Sequence, residues 1–209
     1  MIRVEVTGLD QIGHMQALLQ PALFEKAQRG GISYAAKSVP PLVAKGIGAA
    51  YNIKAARIKQ DISGPRMEQG GMVATLRFSR RPPSLAQFNP NPGTRGPQPG
   101  LGRGLGWGPA KPAGKPLAVT IRKGGGRQSI RNAFIAAGTN GNRLVFKRKT
   151  DGALEALYGP SIGSIYGGKS AIGEQLRADV QARIRQQFLV GFQRVLDSAS
   201  RGYGGGQRG

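Results

Sequence analysis

Residues 171–196, AIGEQLRADVQARIRQQFLVGFQRVL, decide the reading of this chain. Ile172, Leu176, Val180, Ile184, Phe188, Phe192 and Val195 recur at steps of three and four, which lines them along one side of an α-helix. Arg177, Arg183, Arg185 and Arg194 fall mostly off that stripe. A helix of this length with a single apolar side must lay it on other elements. The helix is expected over residues 169–201, after Gly167-Gly168 and before a Gly-rich tail, 202–209, read as flexible.

Upstream the period changes from helical to alternating. Met72, Ala74, Leu76 and Phe78 alternate with Val73, Thr75 and Arg77, and Leu117, Val119 and Ile121 alternate with Thr120 and Arg122. Further strands are expected at Asn132–Ala137 and Arg143–Arg148, with Asn140-Gly141-Asn142 as a tight turn between them. These are read as one antiparallel meander of about four strands, with one apolar and one basic face. Nearer the start, residues 2–6 alternate as a short strand, and Asp10 caps a helix through Ile12, Met15, Leu18, Leu19 and Leu23. Pro21, Gly30-Gly31 and Pro40-Pro41 are expected to break the segment up to about Tyr51 into two or three helical pieces. A last helix, Ile53–Ile62, is expected to stop at Ser63-Gly64-Pro65.

The fold class is therefore α+β. An antiparallel sheet packs with N-terminal helices and a long C-terminal amphipathic helix in one domain, 1–209. Its parts are a helical region 8–63, a β region 72–150 and the closing helix. Within the β region lies a Gly/Pro-rich insertion, 89–116, unable to build a core of its own. Trp107 sits inside it. Either the segment orders on a partner with Trp107 as anchor, or it is a flexible insertion whose Trp covers a local apolar patch.

The charge is lopsided. The chain carries 31 Lys and Arg against 10 Asp and Glu, a net +21, which opposes compaction unless anions lie nearby. Between Glu68 and Asp151 there is no acid at all, while basic residues recur throughout. Arg77, Arg80, Arg81, Arg95, Arg103, Arg122, Lys123, Arg127, Lys147, Arg148 and Lys149 are the candidate contacts to DNA or to an acidic protein partner. With few aromatics to stack on bases, contact to a nucleic acid backbone fits better than base reading.

Catalytic chemistry has little to work with. His14 is the single histidine, there is no cysteine, and the carboxylates show no paired spacing. No catalytic, cofactor-binding or metal-binding residue is assigned. Gly124-Gly125-Gly126-Arg127 lacks the Gly-Lys-Ser/Thr of a phosphate-binding P-loop and reads as a glycine-rich basic hairpin. No apolar run reaches the roughly 18 residues of a membrane span, and Met1–Val6 lacks a signal-peptide pattern. No membrane partner is expected.

The order of these features resembles the prophage minor tail protein Z family, the lambda-type tail-completion proteins. The resemblance starts with Gly8-Leu9-Asp10-Gln11 before an Ala-rich helical region and continues with the basic helix after Tyr51-Asn52. Leu76–Arg81, then Leu85 and Phe88, come next. Asn132–Ala136, Phe146-Lys147-Arg148 and Leu157–Ile162 follow, ahead of the last helix. The 89–116 insertion has no counterpart. The resemblance implies a non-enzymatic virion protein, assembled in the host bacterial cytoplasm and acting at the head-proximal end of the tail. It implies a homo-oligomeric ring, six-fold by the symmetry of tails. Its neighbours would be tail terminator, tail tube or head–tail connector subunits, with the phage DNA end within reach. The charge alone also admits a different class, a non-specific nucleic-acid-binding protein of ribosomal or chromatin type.

Overall fold

The computed structural model describes residues 2–4, 19–91, 116–138 and 141–203. The expected N-terminal helix with His14, most of the 89–116 insertion with Arg95, Arg103 and Trp107, Asn140, and residues 204–209 lie outside them. The class is α+β, as the two sequence periods require.

Two long helices form the frame. Helix α1, Pro21–Ala50, buries Phe24, Ala27, Gly31, Ala35, Val39, Val43 and Ile47, a stripe repeating every three or four residues. The expected breaks in this region do not occur. Pro21 occupies the first turn, where a missing N–H costs nothing. Pro40 and Pro41 do remove two helical hydrogen bonds, but they lie half-buried and exposed, away from the buried stripe. Burial of that stripe outweighs the local penalty, and the helix runs through.

Its partner is the C-terminal helix, α4, Ala171–Tyr203, whose Leu176, Val180, Ile184, Phe188 and Phe192 are buried. The Ser170 hydroxyl accepts from Gly173 N–H at its start, and Glu174 and Arg201 sit at the dipole ends that favour them. The helices run antiparallel: Gly30 and Gly31 lie against Phe188, Gly191 and Val195, while Gly46 lies against Leu176. At Gly191 any Cβ would come within 2.6 Å of Tyr34 Cβ and 3.0 Å of Gly31 Cα. Gly191 and Gly31 therefore let two backbones touch. Phe24 meets Phe192 edge-on at 5.8 Å, and Arg194 lies 4.6 Å over the Tyr34 ring.

The strands form three small sheets, not one meander. The first has the order β1–β3–β2, from β1 (Ile2–Val4), β2 (Ile62–Glu68) and β3 (Val73–Phe78), all antiparallel. Helix α1 continues through Tyr51 to α2, Ala55–Gln60, which is shorter than expected. Ser63-Gly64-Pro65 does not end structure here. It lies inside β2, at a register shift between Ser63 and Arg66, with Gly64 at φ +108°. Ala74, Leu76 and Phe78 turn into the core, and Phe78 stacks on Tyr166 at 4.5 Å. Tyr166 belongs to α3, Ile162–Gly167, capped by the Ser161 hydroxyl. Burial pushes the Tyr166 hydroxyl above its ordinary pKa, with Arg177 pulling the other way.

The second sheet is a hairpin, β4 (Leu117–Val119) with β5 (Gln128–Ile130). The third is β6–β7–β8, from β6 (Ala133–Ala137), β7 (Arg143–Arg148) and β8 (Leu154–Leu157). Val145, fully buried, anchors the third sheet to the core together with Ile135 and Leu157. The hairpin is stitched to the end of α1: Asn52 N–H donates to Ile121 C=O and Lys123 N–H to Ala50 C=O, both at 2.9 Å. That closes an otherwise unpaired helix C-terminus.

Substituting Gly191 by Val is expected to force α1 and α4 apart and cost about 1–3 kcal/mol of stability. Gly126→Ala, in a hairpin position with nothing within 4 Å of the new Cβ, is expected to be near neutral. Urea unfolding midpoints of the two variants check the contrast.

Candidate functional site

The described cations of the acid-free middle gather at turns and strand ends. Arg77 is the penultimate residue of β3, and Arg80 and Arg81 follow in the exposed loop. Ser79 holds that loop in place: its N–H donates to Asp61 C=O at 2.8 Å, its C=O accepts from Gly163 N–H at 2.9 Å, and its hydroxyl accepts from Arg81 N–H. A tight run with three fixed backbone contacts thus presents two flexible guanidinium groups.

Arg122, Lys123 and Arg127 flank the β4–β5 hairpin turn, where Gly124 takes φ +75°. Arg122 sits 5.8 Å over the Tyr51 ring. Lys123 is exposed, with its backbone bonded to the end of α1. The negative end of the α1 dipole lies beside this group, so part of its positive field is balanced within the fold.

Lys147, Arg148 and Lys149 close β7 and open the turn to β8, and all three are exposed. Side chains alternate along a strand, so Lys147 and Arg148 project from opposite faces of the third sheet. The expected basic face is therefore absent here. The outer face of this sheet carries Phe134, Ala136, Leu144, Phe146 and Ala156, all half-buried, with the Phe134 and Phe146 rings 6.1 Å apart. The cations sit at its end. Asp151, the first acid after the run, has Oδ1 engaged by Ala153 N–H at 2.9 Å, and Glu155 stands opposite Lys147 in register without an ion pair.

Arg131 and Arg66 were not among the contacts selected from sequence. Arg131 precedes Asn132, whose carbonyl accepts from Arg148 N–H at 3.0 Å, so its turn lies beside the end of β7. Arg66 pairs in register with Thr75 and thus shares the outer face of the first sheet with Arg77. Recognising β2 as a strand is what reveals it, and Gly64-Pro65 hid that strand.

Ion pairing absorbs little of this charge. Arg57 meets the buried Asp61 at 3.0 Å, and Arg29 pairs with Glu25, but both pairs lie outside the acid-free middle. Among the described residues, Arg77, Arg80, Arg81, Lys147, Arg148 and Lys149 form no ion pair with a carboxylate. Nor do three or more His, Cys, Asp or Glu converge among the described residues. No described helix is long and apolar enough to cross a membrane. Exposed, unpaired cations on stiff turns suit contact with many phosphates or carboxylates at once, without recognition of one small ligand.

Because Lys147, Arg148 and Lys149 are exposed and unpaired, replacing all three by Gln is expected to leave folding stability within about 0.5 kcal/mol per site. Thermal melting of the triple variant checks this, and a large loss of stability would give the cluster a structural role. Comparison with known proteins places no neighbour beside this arrangement: no protein-family model, no curated protein and no solved structure matches the chain.

Proposed function

We propose that this chain is a structural, non-enzymatic protein of a tailed bacteriophage. In this reading it is a minor tail or tail-completion subunit acting at the head-proximal end of the tail during head–tail joining. Its basic central region faces DNA or acidic neighbouring subunits. The observation that carries the reading is the exposed charge of the acid-free middle. A folded middle with cations on three exposed turns, and no acids of its own between Glu68 and Asp151, is matched to a polyanionic surface. The resemblance in motif order to the minor tail protein Z family supplies the setting, a virion neck. There it acts as one member of a ring of identical subunits.

The mechanism is adhesive. Each exposed Arg or Lys placed near a phosphate releases a condensed counterion, so several weak contacts sum to a strong, salt-sensitive hold without sequence preference. Fixing the cations on turns, with backbones tied to α1, α3 and β6, keeps the loss of chain entropy on binding small.

Deleting the gene from its phage is expected to leave filled heads and separate tails in electron micrographs. Complementation with the Lys147, Arg148 and Lys149 triple Gln variant is expected to lower infectious titre at least tenfold while the protein still folds. Normal titre with the triple variant would end the basic-contact mechanism, and normal head–tail joining without the gene would end the tail assignment. The second reading, a ribosomal- or chromatin-type nucleic-acid binder, rests on the +21 charge. It requires tight, steeply salt-dependent binding by a free monomer and no part in virion assembly.

A further inference from the structure

Sheet edges are where this fold treats one strand unlike the rest. An open edge offers a row of backbone donors and acceptors to any extended chain, and proteins normally blunt it. Here β1, β4 and β5 are three residues each. Strand β2 carries Gly64-Pro65 at its register shift, with charged Arg66 and Glu68 beyond. Strand β4 is further closed by Asn91, which exchanges backbone hydrogen bonds with Ala118. Strand β8 is closed at its end by Pro83 and Ser84, through Gly159 N–H to Pro83 C=O and the Ser84–Tyr158 bridge.

Among the described residues, strand β6 has none of these devices. Ala133-Phe134-Ile135-Ala136-Ala137 is five residues long, pairs with β7 in unbroken register, and contains no Pro, Gly or charge. The whole stretch 132–142 is free of charged side chains, although Arg131 and Arg143 bound it. The hydrogen bonds Gly138 N–H to Asn142 C=O and Arg148 N–H to Asn132 C=O set the phase of the β6–β7 ladder. In that phase Phe134 and Ala136 bond to β7, while the N–H and C=O groups of Ala133, Ile135 and Ala137 point outward. Among the described residues, none pairs with that outer edge.

We infer that β6 is a self-association edge, at which a second copy of this chain adds its own β6 antiparallel about a two-fold axis at Ile135. Charge selects the occupant. Two copies carrying +21 each repel, so they approach best where neither presents a cation. An acidic partner would gain nothing from this neutral strand. The geometry closes on itself. Pairing Ala133 with Ala137 of the other copy, and Ile135 with its equivalent, joins all the outward groups in about six backbone hydrogen bonds. Phe134 of each copy then lies beside Ala136 of the other, large against small, on the face that already carries Phe146 and Leu144. The outcome is a six-stranded sheet with a continuous apolar outer row. This inference needs only the edge, and stands whether or not the tail assignment does.

Two five-residue edges bury less than the ~800 Å² per partner of a standard stable interface, so the association should be concentration-dependent. Sedimentation velocity on the full chain, freed of nucleic acid, is expected to shift from monomer to dimer mass over the micromolar range. Added salt should strengthen this association by screening the cations, the reverse of its effect on phosphate binding. Ala137→Pro deletes one outward N–H and no bond to β7, and is expected to weaken dimerisation at least tenfold. Ala137→Lys, at an exposed position, should weaken it in a way that salt relieves. It also carries the test if the proline variant fails to fold. A chain that remains monomeric at several hundred micromolar (about the top of the range) overturns the inference, as does any oligomer that both folded variants leave unchanged.

Discussion

The close antiparallel crossing of α1 and α4 is the constraint on which the remaining structure depends. Each helix has one apolar side, and neither is stable alone in water with that side exposed. Gly30 and Gly31 against Gly191 bring the two axes close enough for Phe188 and Phe192 to reach Phe24 and the Ala-rich stripe between them. Two attachments are placed from one end of this pair, where Gly46 of α1 lies against Leu176 of α4. At the lower end, Arg177 of α4 donates to the carbonyls of Tyr166 and Gly168 and so fixes α3, whose Tyr166 covers Phe78 of the first sheet. At the same end, Ala50 and Asn52 of the α1 terminus receive the segment Thr120–Lys123 that follows β4. A shift of one helix along the other would move these two attachments apart.

This division of labour explains how so basic a chain folds. Stability comes from a largely apolar interior: among the described residues the buried polar groups are Asp61, Thr75, Ser84 and Ser161, and Asp61 pairs with Arg57. The described cations of the acid-free middle stand on turns and strand ends, where water hydrates them and they cost little in the folded state beyond their mutual repulsion. Their arrangement is thus not needed for the fold. Exposed and without an ion pair among the described residues, Arg77, Arg80, Arg81 and Lys147 to Lys149 are available to a partner, and the proposed assembly role rests on that availability.

Much of this was legible in sequence, and the misses have physical causes. The stripe from Ile172 to Phe192 located α4 because burial on one side of a long helix imposes a period. Strands β3, β6 and β7 were legible for the same reason at period two. Helix α1 was read as fragments because Pro40-Pro41 is a local signal, whereas the packing that overrides it is tertiary. Strand β2 was missed because Gly64-Pro65 reads as a stop, and β8 because Leu154-Glu155-Ala156-Leu157 is built of helix formers held extended only by β7. The division into three sheets follows from the long connections and cannot be read from alternation. For the site, sequence located the cations but not their faces: Lys147 and Arg148 are neighbours in the chain and opposite in the sheet.

The third sheet brings two kinds of surface within one small unit. Its turn, at Lys147 to Lys149 with Arg131 alongside, is charged, flexible at the tips and suited to unlike partners. Its β6 edge is neutral, stiff and suited to another strand. A protein that only bound polyanions would gain from cations along that edge as well, since Lys there would both block aggregation and add to the field. Keeping 132–142 free of charge in a chain where Lys and Arg outnumber acids three to one sacrifices both benefits. What sets this segment apart is that its neutral residues line an edge with outward backbone groups unpaired among the described residues, and a strand-to-strand contact uses those groups where they already stand.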